Sequence, residues 1–330
     1  MKTIFQQIVR TTSLLFLSVN ILQAEGLPNP SSRPDCQQKS VDIFADFLYW
    51  YTSEPVDWAY TLTTTHNGVI AEYKTFSFEW APGFRVGLGY NMKHDEWDTQ
   101  ASYTWFKSKT SGSTAGTVTS GFLGARLSLL EPFSIARASL NLRYNIFDWD
   151  LGRSFLLSDR LVIRPSIGFK GGWINQFLDS HWSTPNFIGL FLLVAEENLK
   201  QRFTGAGPKG GISANWCFGN IQNHAFSIIG QFETGYLWGH WKIKDRYLDN
   251  LLTQILIQTT ERNYGALVLH STFGFGWDFN FDNDRSHIGF KIAYEIEDWF
   301  NHLQFFTNID GGQNNNLILQ GLNFLLGFDF

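Results

Sequence analysis

The sequence predicts an all-β protein, a transmembrane antiparallel up-and-down β-barrel. Three observations predict it. From Val41 to Phe330 apolar and polar side chains alternate with period two. Aromatic residues reach 17%, while charged residues are held to 17%, against about 25% in soluble domains. Short and long links between the alternating segments take turns along the chain. Mean hydropathy is only −0.14, so the apolar residues are interleaved with polar ones. A wall with lipid on one face and water on the other needs that interleaving.

Residues 1–24 read as a secretory leader. Lys2 and Arg10 supply positive charge, Leu14-Leu15-Phe16-Leu17-Ser18-Val19 an apolar core, and Leu22-Gln23-Ala24 a cleavage site. The apolar run is shorter than the roughly 20 residues that span a bilayer as a helix. Residues 25–40 read as a periplasmic lead-in and 41–330 as the barrel. The net charge of −5 comes without a basic patch large enough for nucleic acid.

The clearest strand is Gly83–Tyr90. Phe84, Val86, Leu88 and Tyr90 share one face, and Arg85, Gly87 and Gly89 the other. Residues 97–106 repeat the pattern. Ala136, Ala138, Leu140, Leu142, Tyr144 and Ile146 oppose Arg137, Ser139, Asn141, Arg143 and Asn145; after Ile146 the apolar set becomes Phe147, Trp149 and Leu151. A β-bulge near Ile146-Phe147 is the expected cause of that slip. Further strands fall at 161–174, 203–218, 224–242, 265–281 and 286–300. At the end of the sequence Leu322, Phe324, Leu326, Phe328 and Phe330 alternate, a strand expected to pair with Val41–Tyr51 and close the ring.

The count is about ten strands, with eight and twelve the neighbouring even numbers. Short links at 91–96, 157–160, 219–224 and 282–286 read as periplasmic turns. Long links at 53–76, 108–133, 177–202, 243–264 and 301–313 read as external loops. Asn67-Gly68 suits a hairpin in the first loop, and 187–200 an amphipathic helix in the third.

Charged residues in hydrocarbon cost several kcal/mol, so those on the strands should face the lumen. The expected lining is Arg85, Asp98, Arg137, Arg143, Arg164, Lys170, Lys209, Glu233, Lys291, Glu295 and Glu297, with Asp42, Asp46 and Asp278 beside them. Such a set either lines an aqueous path or pairs across a narrow lumen and plugs it. Trp97, Trp149, Trp173, Trp238, Trp277 and Tyr90 suit aromatic girdles.

Catalytic and metal patterns are weak. His181-Trp182-Ser183 has a tempting spacing for a lipid hydrolase but falls in the third predicted loop. His270 and Ser271 should point to opposite faces. His94-Asp95-Glu96 reads as a polar turn, and Gly205–Gly211 as a strand of small residues, since no helix follows it. No cofactor or metal is expected. Cys36 and Cys217 are read either as a disulfide at the periplasmic mouth or as two separate thiols.

Asp46-Phe47-Leu48-Tyr49-Trp50, Gly83–Tyr90, Asn145–Phe155, Arg164–Gln176 and Ala293–Phe300 resemble the Legionella-type major outer membrane protein family, also found in Chlamydia-like bacteria. The resemblance implies a pore-forming barrel and supplies no catalytic residues. Outer-membrane barrels also resemble this chain in ending on an aromatic strand read by the barrel assembly machinery, which would make Phe324, Leu326, Phe328 and Phe330 an assembly signal. The resulting expectation is a porin-like channel for small hydrophilic solutes or ions. Its alternatives are a structural or adhesive barrel with a closed lumen, and a lipid-modifying hydrolase. Expected partners are outer-membrane lipid, the assembly machinery, a second copy of the chain, and host surface molecules at the loops.

Overall fold

The computed structural model describes residues 41–330 except 67, 93–95, 123–132, 188–190, 222, 252, 259–261, 282–285, 308–310 and 330. The leader, the lead-in with Cys36, His94-Asp95 and Phe330 lie outside the described residues. Ten antiparallel strands form the ring: β1 (Val41–Ser53), β4 (Trp80–Met92), β5 (Trp97–Ser120), β6 (Phe133–Arg153), β8 (Leu161–Phe187), β9 (Phe191–Ile221), β10 (His224–Asp249), β12 (Arg262–Phe281), β13 (Ser286–Thr307) and β14 (Gly311–Asp329). Asp42 pairs with Asp329 and Ser53 with Ile318, so β1 closes on β14 and the ring has no open seam at the level of the membrane strands. Four short strands decorate the ring. β2 (Asp57–Thr65) and β3 (Gly68–Thr75) form a hairpin closed by Thr65 opposite Gly68, as Asn67-Gly68 predicts. β7 (Phe155–Ser158) pairs with β8, and β11 (Gln254–Gln258) with β10.

Alternation sets what each face meets. On β1, Ile43, Phe47 and Tyr49 point outward and are 42–51% exposed, while Phe44, Asp46, Leu48 and Trp50 are buried inside the ring. The same holds on β4, where Phe84, Val86, Leu88 and Tyr90 face out, and on β12, where Phe273, Phe275 and Trp277 do. A tilted strand crosses the hydrocarbon in about 9–11 residues, and the outward apolar run from Ile43 to Tyr51 fits that length. Trp149, Trp173, Trp238, Trp277 and Tyr90 all face outward, where aromatic girdles belong.

Five neighbouring strands run far past this belt. β5, β6, β8, β9 and β10 have 24, 21, 27, 31 and 26 residues. Their surplus lies at the end opposite the short turns, which is the external end of such barrels. Here the outward face turns polar: Trp105 is followed on that face by Lys107, Lys109 and Ser111, all exposed. The inward face turns apolar in compensation.

That inversion corrects several expectations. No bulge interrupts β6: pairing continues through Thr104–Ile146 and Tyr103–Phe147 on one side, and Ile146–Gly172 and Phe147–Gly171 on the other. The apolar set changes face in sequence because the wall leaves the membrane near Asn145. Ala136 to Ile146 therefore pack inside, and Phe147, Trp149 and Leu151 face lipid. Among the described residues the predicted loops at 108–133, 177–202 and 243–264 are largely strand; of the helix expected at 187–200, Phe187 ends β8 and residues 191–200 belong to β9, with Leu193, Ala195, Glu197 and Leu199 buried. His181 and Ser183 lie on β8, not in a loop. The external stretch 192–200 still alternates, because its outer face meets water and its inner face meets a core.

Placing a cation on the membrane-facing wall should cost far more than placing one on the extension. Val86→Arg is expected to lower unfolding free energy in lipid vesicles by about 2–4 kcal/mol. Thr117→Arg, on the exposed outer face of β5, should change it by less than about 0.5 kcal/mol. Denaturant titration of the two variants checks both values.

Candidate functional site

The membrane-level lumen is a charged cup of about 440 Å³, lined by nine carboxylates, five Lys or Arg residues and His270. Its side chains form ion pairs across the ring. Arg85 on β4 bonds Asp46 on β1 at 3.1 Å and Glu295 on β13 at 2.6 Å, and donates from Nε to Thr104 on β5 at 3.0 Å. Glu295 also accepts from Asn323 on β14 at 3.0 Å and meets His270 Nε2 on β12 at 2.7 Å. Lys170 on β8 bridges Asp148 on β6 at 3.2 Å and Glu297 on β13 at 2.9 Å. Lys209 on β9 reaches Asp148 at 3.2 Å and Glu233 on β10 at 3.3 Å. Arg164 joins Asp150 at 2.6 Å and Asp98. All ten barrel strands contribute a side chain. Charges this far from bulk water are tolerable only when paired and hydrogen-bonded.

A plug closes the cup from above. Leu48, Trp50, Phe106, Leu142, Tyr144, Ile146, Ile174, Phe203, Leu237, Trp241, Ala266, Val268, Trp299, Leu317 and Leu319 form one buried cluster, with Trp50, Trp241 and Trp299 fully enclosed. Glu297 is the seam between the two layers. It accepts from Tyr144 at 3.0 Å and from Trp299 Nε1 at 3.1 Å on the plug side, and binds Lys170 on the cup side. Arg85 lies 5.8 Å above the Trp50 ring at the same seam. Glycine is required beside Phe203: a Cβ at Gly205 would stand 2.6 Å from Phe203 Cζ, and one at Gly239 would collide with Phe203 and Trp241.

A polar layer and a second apolar cluster follow. Glu54 accepts from Gln176, and Gln201 donates to Gln176 at 2.7 Å and to the His302 carbonyl at 2.9 Å. A bulge in β13 between Trp299 and Leu303 inserts His302 here, with Asn301 at a left-handed φ of 51°. Above it Trp58, Phe76, Phe133, Trp182, Tyr247 and Phe305 belong to the second buried cluster.

Of the residues predicted to face the lumen, Arg85, Asp98, Arg164, Lys170, Lys209, Glu233, Lys291 and Glu297 line the cup, as do Asp42, Asp46 and Asp278; Glu295 lies behind Arg85. Arg137 and Arg143 do not. Both are exposed on the outer face of the extension, Arg143 with its guanidinium 5.6 Å from the Phe177 ring. The polar face of β6 looks outward there because water, not lipid, surrounds it. Asp148, Asp150 and His270 were missed. The two aspartates were legible as the partners in alternation of Phe147, Trp149 and Leu151; His270 needed its facing carboxylates. The hairpin-end side chains of the hydrolase pattern are not assembled: His181 is 3.5 Å from Glu196, both are more than half exposed, and no hydrogen bond joins His181 to Ser183 among the described residues. His270 faces the lumen and Ser271 faces out. Cys217 is half-buried on β9; the pairing with Cys36 falls outside the described residues.

Removing Glu295 strands Arg85 and His270, so Glu295→Gln should destabilise by about 3 kcal/mol. Lys74→Gln, which breaks the Lys74–Glu72 pair in which Glu72 is 70% exposed, should cost less than about 0.5 kcal/mol. Asp245 sits in the extension, beyond the membrane-facing part of β10, and burial pushes its carboxyl up to about 7 from 3.8. The folded state then holds this proton more tightly than the unfolded chain. Asp245 should therefore make wild type lose stability as pH rises from 3.8 to about 7. Asp245→Asn should lack that slope and be the more stable form above pH 7, read by unfolding both proteins across the range.

Several solved structures are similar to this chain over most of its length. The outer membrane protease OmpT from Escherichia coli has 9% identity and a TM-score of 0.45, covering 88% of this chain and 96% of its own. The Pseudomonas putida toluene transporter TodX has 9% identity and a TM-score of 0.27, covering 90% and 91%. A Pseudomonas aeruginosa FadL homologue has 10% identity and a TM-score of 0.28, covering 90% and 91%. Likeness at this level carries no argument about activity. Comparison with curated proteins gives no match. The family model of the Legionella pneumophila major outer membrane protein precursor matches residues 32–330. With that match over the whole closed ten-stranded ring, the chain belongs to the family of the Legionella pneumophila major outer membrane protein precursor, a family of the outer membrane.

Proposed function

We propose that this protein is a structural, surface-presenting barrel of the outer membrane whose lumen does not conduct at rest. The plug carries this reading. Fifteen buried residues contributed by the wall itself fill the lumen above the cup, and each buried apolar side chain is worth roughly 1.5–3 kcal/mol. Clearing them would cost on the order of tens of kcal/mol, more than the 5–15 kcal/mol or so that holds a typical fold together. A passing fluctuation does not supply that. What such a barrel offers its surroundings is the stiff external turret of β5, β6, β8, β9 and β10, a surface for neighbouring or host molecules.

A second reading is passive passage of small hydrophilic solutes or ions. The cup favours it, since its lining is ionic and outnumbers cations with carboxylates. Conduction would then need the plug to be displaced, and the acidic excess would favour cations.

Planar-bilayer recording separates the two. The proposal expects no unitary conductance steps from the folded wild-type protein. A variant with Trp50, Trp241 and Trp299 of the lower cluster and Trp58, Trp182 and Phe305 of the upper one each replaced by Ala should give steps with a reversal potential displaced toward cations. Steady conductance of the wild type, unchanged in that variant, would establish the passage reading instead.

A further inference from the structure

Exposed cations gather on one part of the outer wall. Lys107, Arg143, Asn175, Arg202 and Lys242 stand in one register row across β5, β6, β8, β9 and β10. The next outward row, about 7 Å further along the strands, is Lys109, Asn141, Phe177, Lys200 and Lys244. All seven cations are exposed, and among the described residues neither row holds an acid. The first carboxylate, Asp179, appears one row higher, paired between Ser139 and Asn198.

Three features make the band unlike an ordinary solvated face. Cations sit directly opposite cations: Lys107 against Arg143, and Lys200 against Lys244. Like charges placed so are destabilising unless an anion comes between them. Among the described residues, no ion pair engages Lys107, Lys109, Arg143, Lys200, Arg202 or Lys244. The depth is also particular. On β5 and β8 the outward residues just below the band are Trp105 and Trp173, and aromatic residues of that kind mark the headgroup level. The band is one-sided as well. At the same boundary the other strands offer Ser53, Trp80, Asn263, Asp298 and Gln320.

We propose that these two rows dock the phosphate groups of the anionic glycolipid of the outer leaflet. The site lies where such headgroups lie, and its charge complements theirs. Arg143 and Arg202 can each bind a phosphate through two parallel N–H donors, with Arg143 steadied by Phe177. The acyl chains of the bound lipid run down the apolar wall beneath, past Trp105, Trp173 and Trp238. The partner is thus held by one flank of the barrel, the flank that also carries the turret.

The test uses the full folded chain in detergent with lipopolysaccharide of deep-rough type, intact or chemically dephosphorylated. Wild type should bind the phosphorylated form roughly tenfold or more tighter than the dephosphorylated one. A triple variant, Lys107→Gln, Arg143→Gln and Arg202→Gln, should lose roughly the same factor, while Lys74→Gln keeps wild-type binding. Excess inorganic phosphate should leave the lipid bound; displacement by it would show a free-anion site and overturn the proposal. Equal binding of the two lipids by wild type would overturn it too, and that comparison stands even where the triple variant fails to fold. Unchanged affinity in a triple variant that keeps heat-dependent gel mobility would do the same.

Discussion

A barrel wall is one strand thick, so every side chain has two directions to choose from and no third. What lies outside therefore dictates what can lie inside. Along this wall the outer solvent changes once, from hydrocarbon to water, near Trp105, Asn145, Trp173 and Thr204. Below that line the outward positions must be apolar and the polar residues turn in. Above it water accepts the polar residues and the apolar ones turn in. The charged cup, the plug, the basic band and the aromatic girdle are consequences of one boundary crossing a continuous sheet.

The two halves solve burial differently. In the cup, ionic groups must satisfy each other, and the pairing is shared rather than one-to-one: Glu295 serves Arg85, His270 and Asn323, and Asp148 serves both Lys170 and Lys209. In the extension, the barrel behaves as a water-surrounded β-fold with an apolar centre, ordinary in its chemistry and unusual only in being continuous with a membrane wall. Glu297 joins the halves because it can hold a lysine below and two aromatic donors above. The interior is thereby stabilised by ion pairing at one level and by apolar packing at the next.

Much of this was legible in the sequence. Period-two alternation identified the membrane strands, and the spacing of short links identified their order. Most lumenal charges followed from the cost of placing them in lipid. Arg137 and Arg143 did not follow, because the rule that charges turn inward holds only while lipid is outside. The same oversight made the change of apolar face at Ile146 look like a bulge. The long external links have the length of loops, but alternation continues through Leu193, Ala195, Glu197 and Leu199 with only the polarity of the faces exchanged. The β13 bulge that turns His302 inward left no local mark, since the extra residues, Phe300 and Asn301, resemble their neighbours.

The account rests on the outer face of a single strand changing solvent partway along its length. Spin labels placed singly along β5, from Ala101 to Ser113, in a Cys36→Ser, Cys217→Ser background in lipid vesicles, measure this directly. The account predicts that odd-numbered sites through Trp105 collide with oxygen dissolved in lipid. From Lys107 outward the odd-numbered sites should collide with a water-soluble nickel complex, while even-numbered sites are shielded from both. Lipid-type collisions persisting at odd-numbered sites out to Ser113, or even-numbered sites beyond Phe106 open to the aqueous complex, would contradict it.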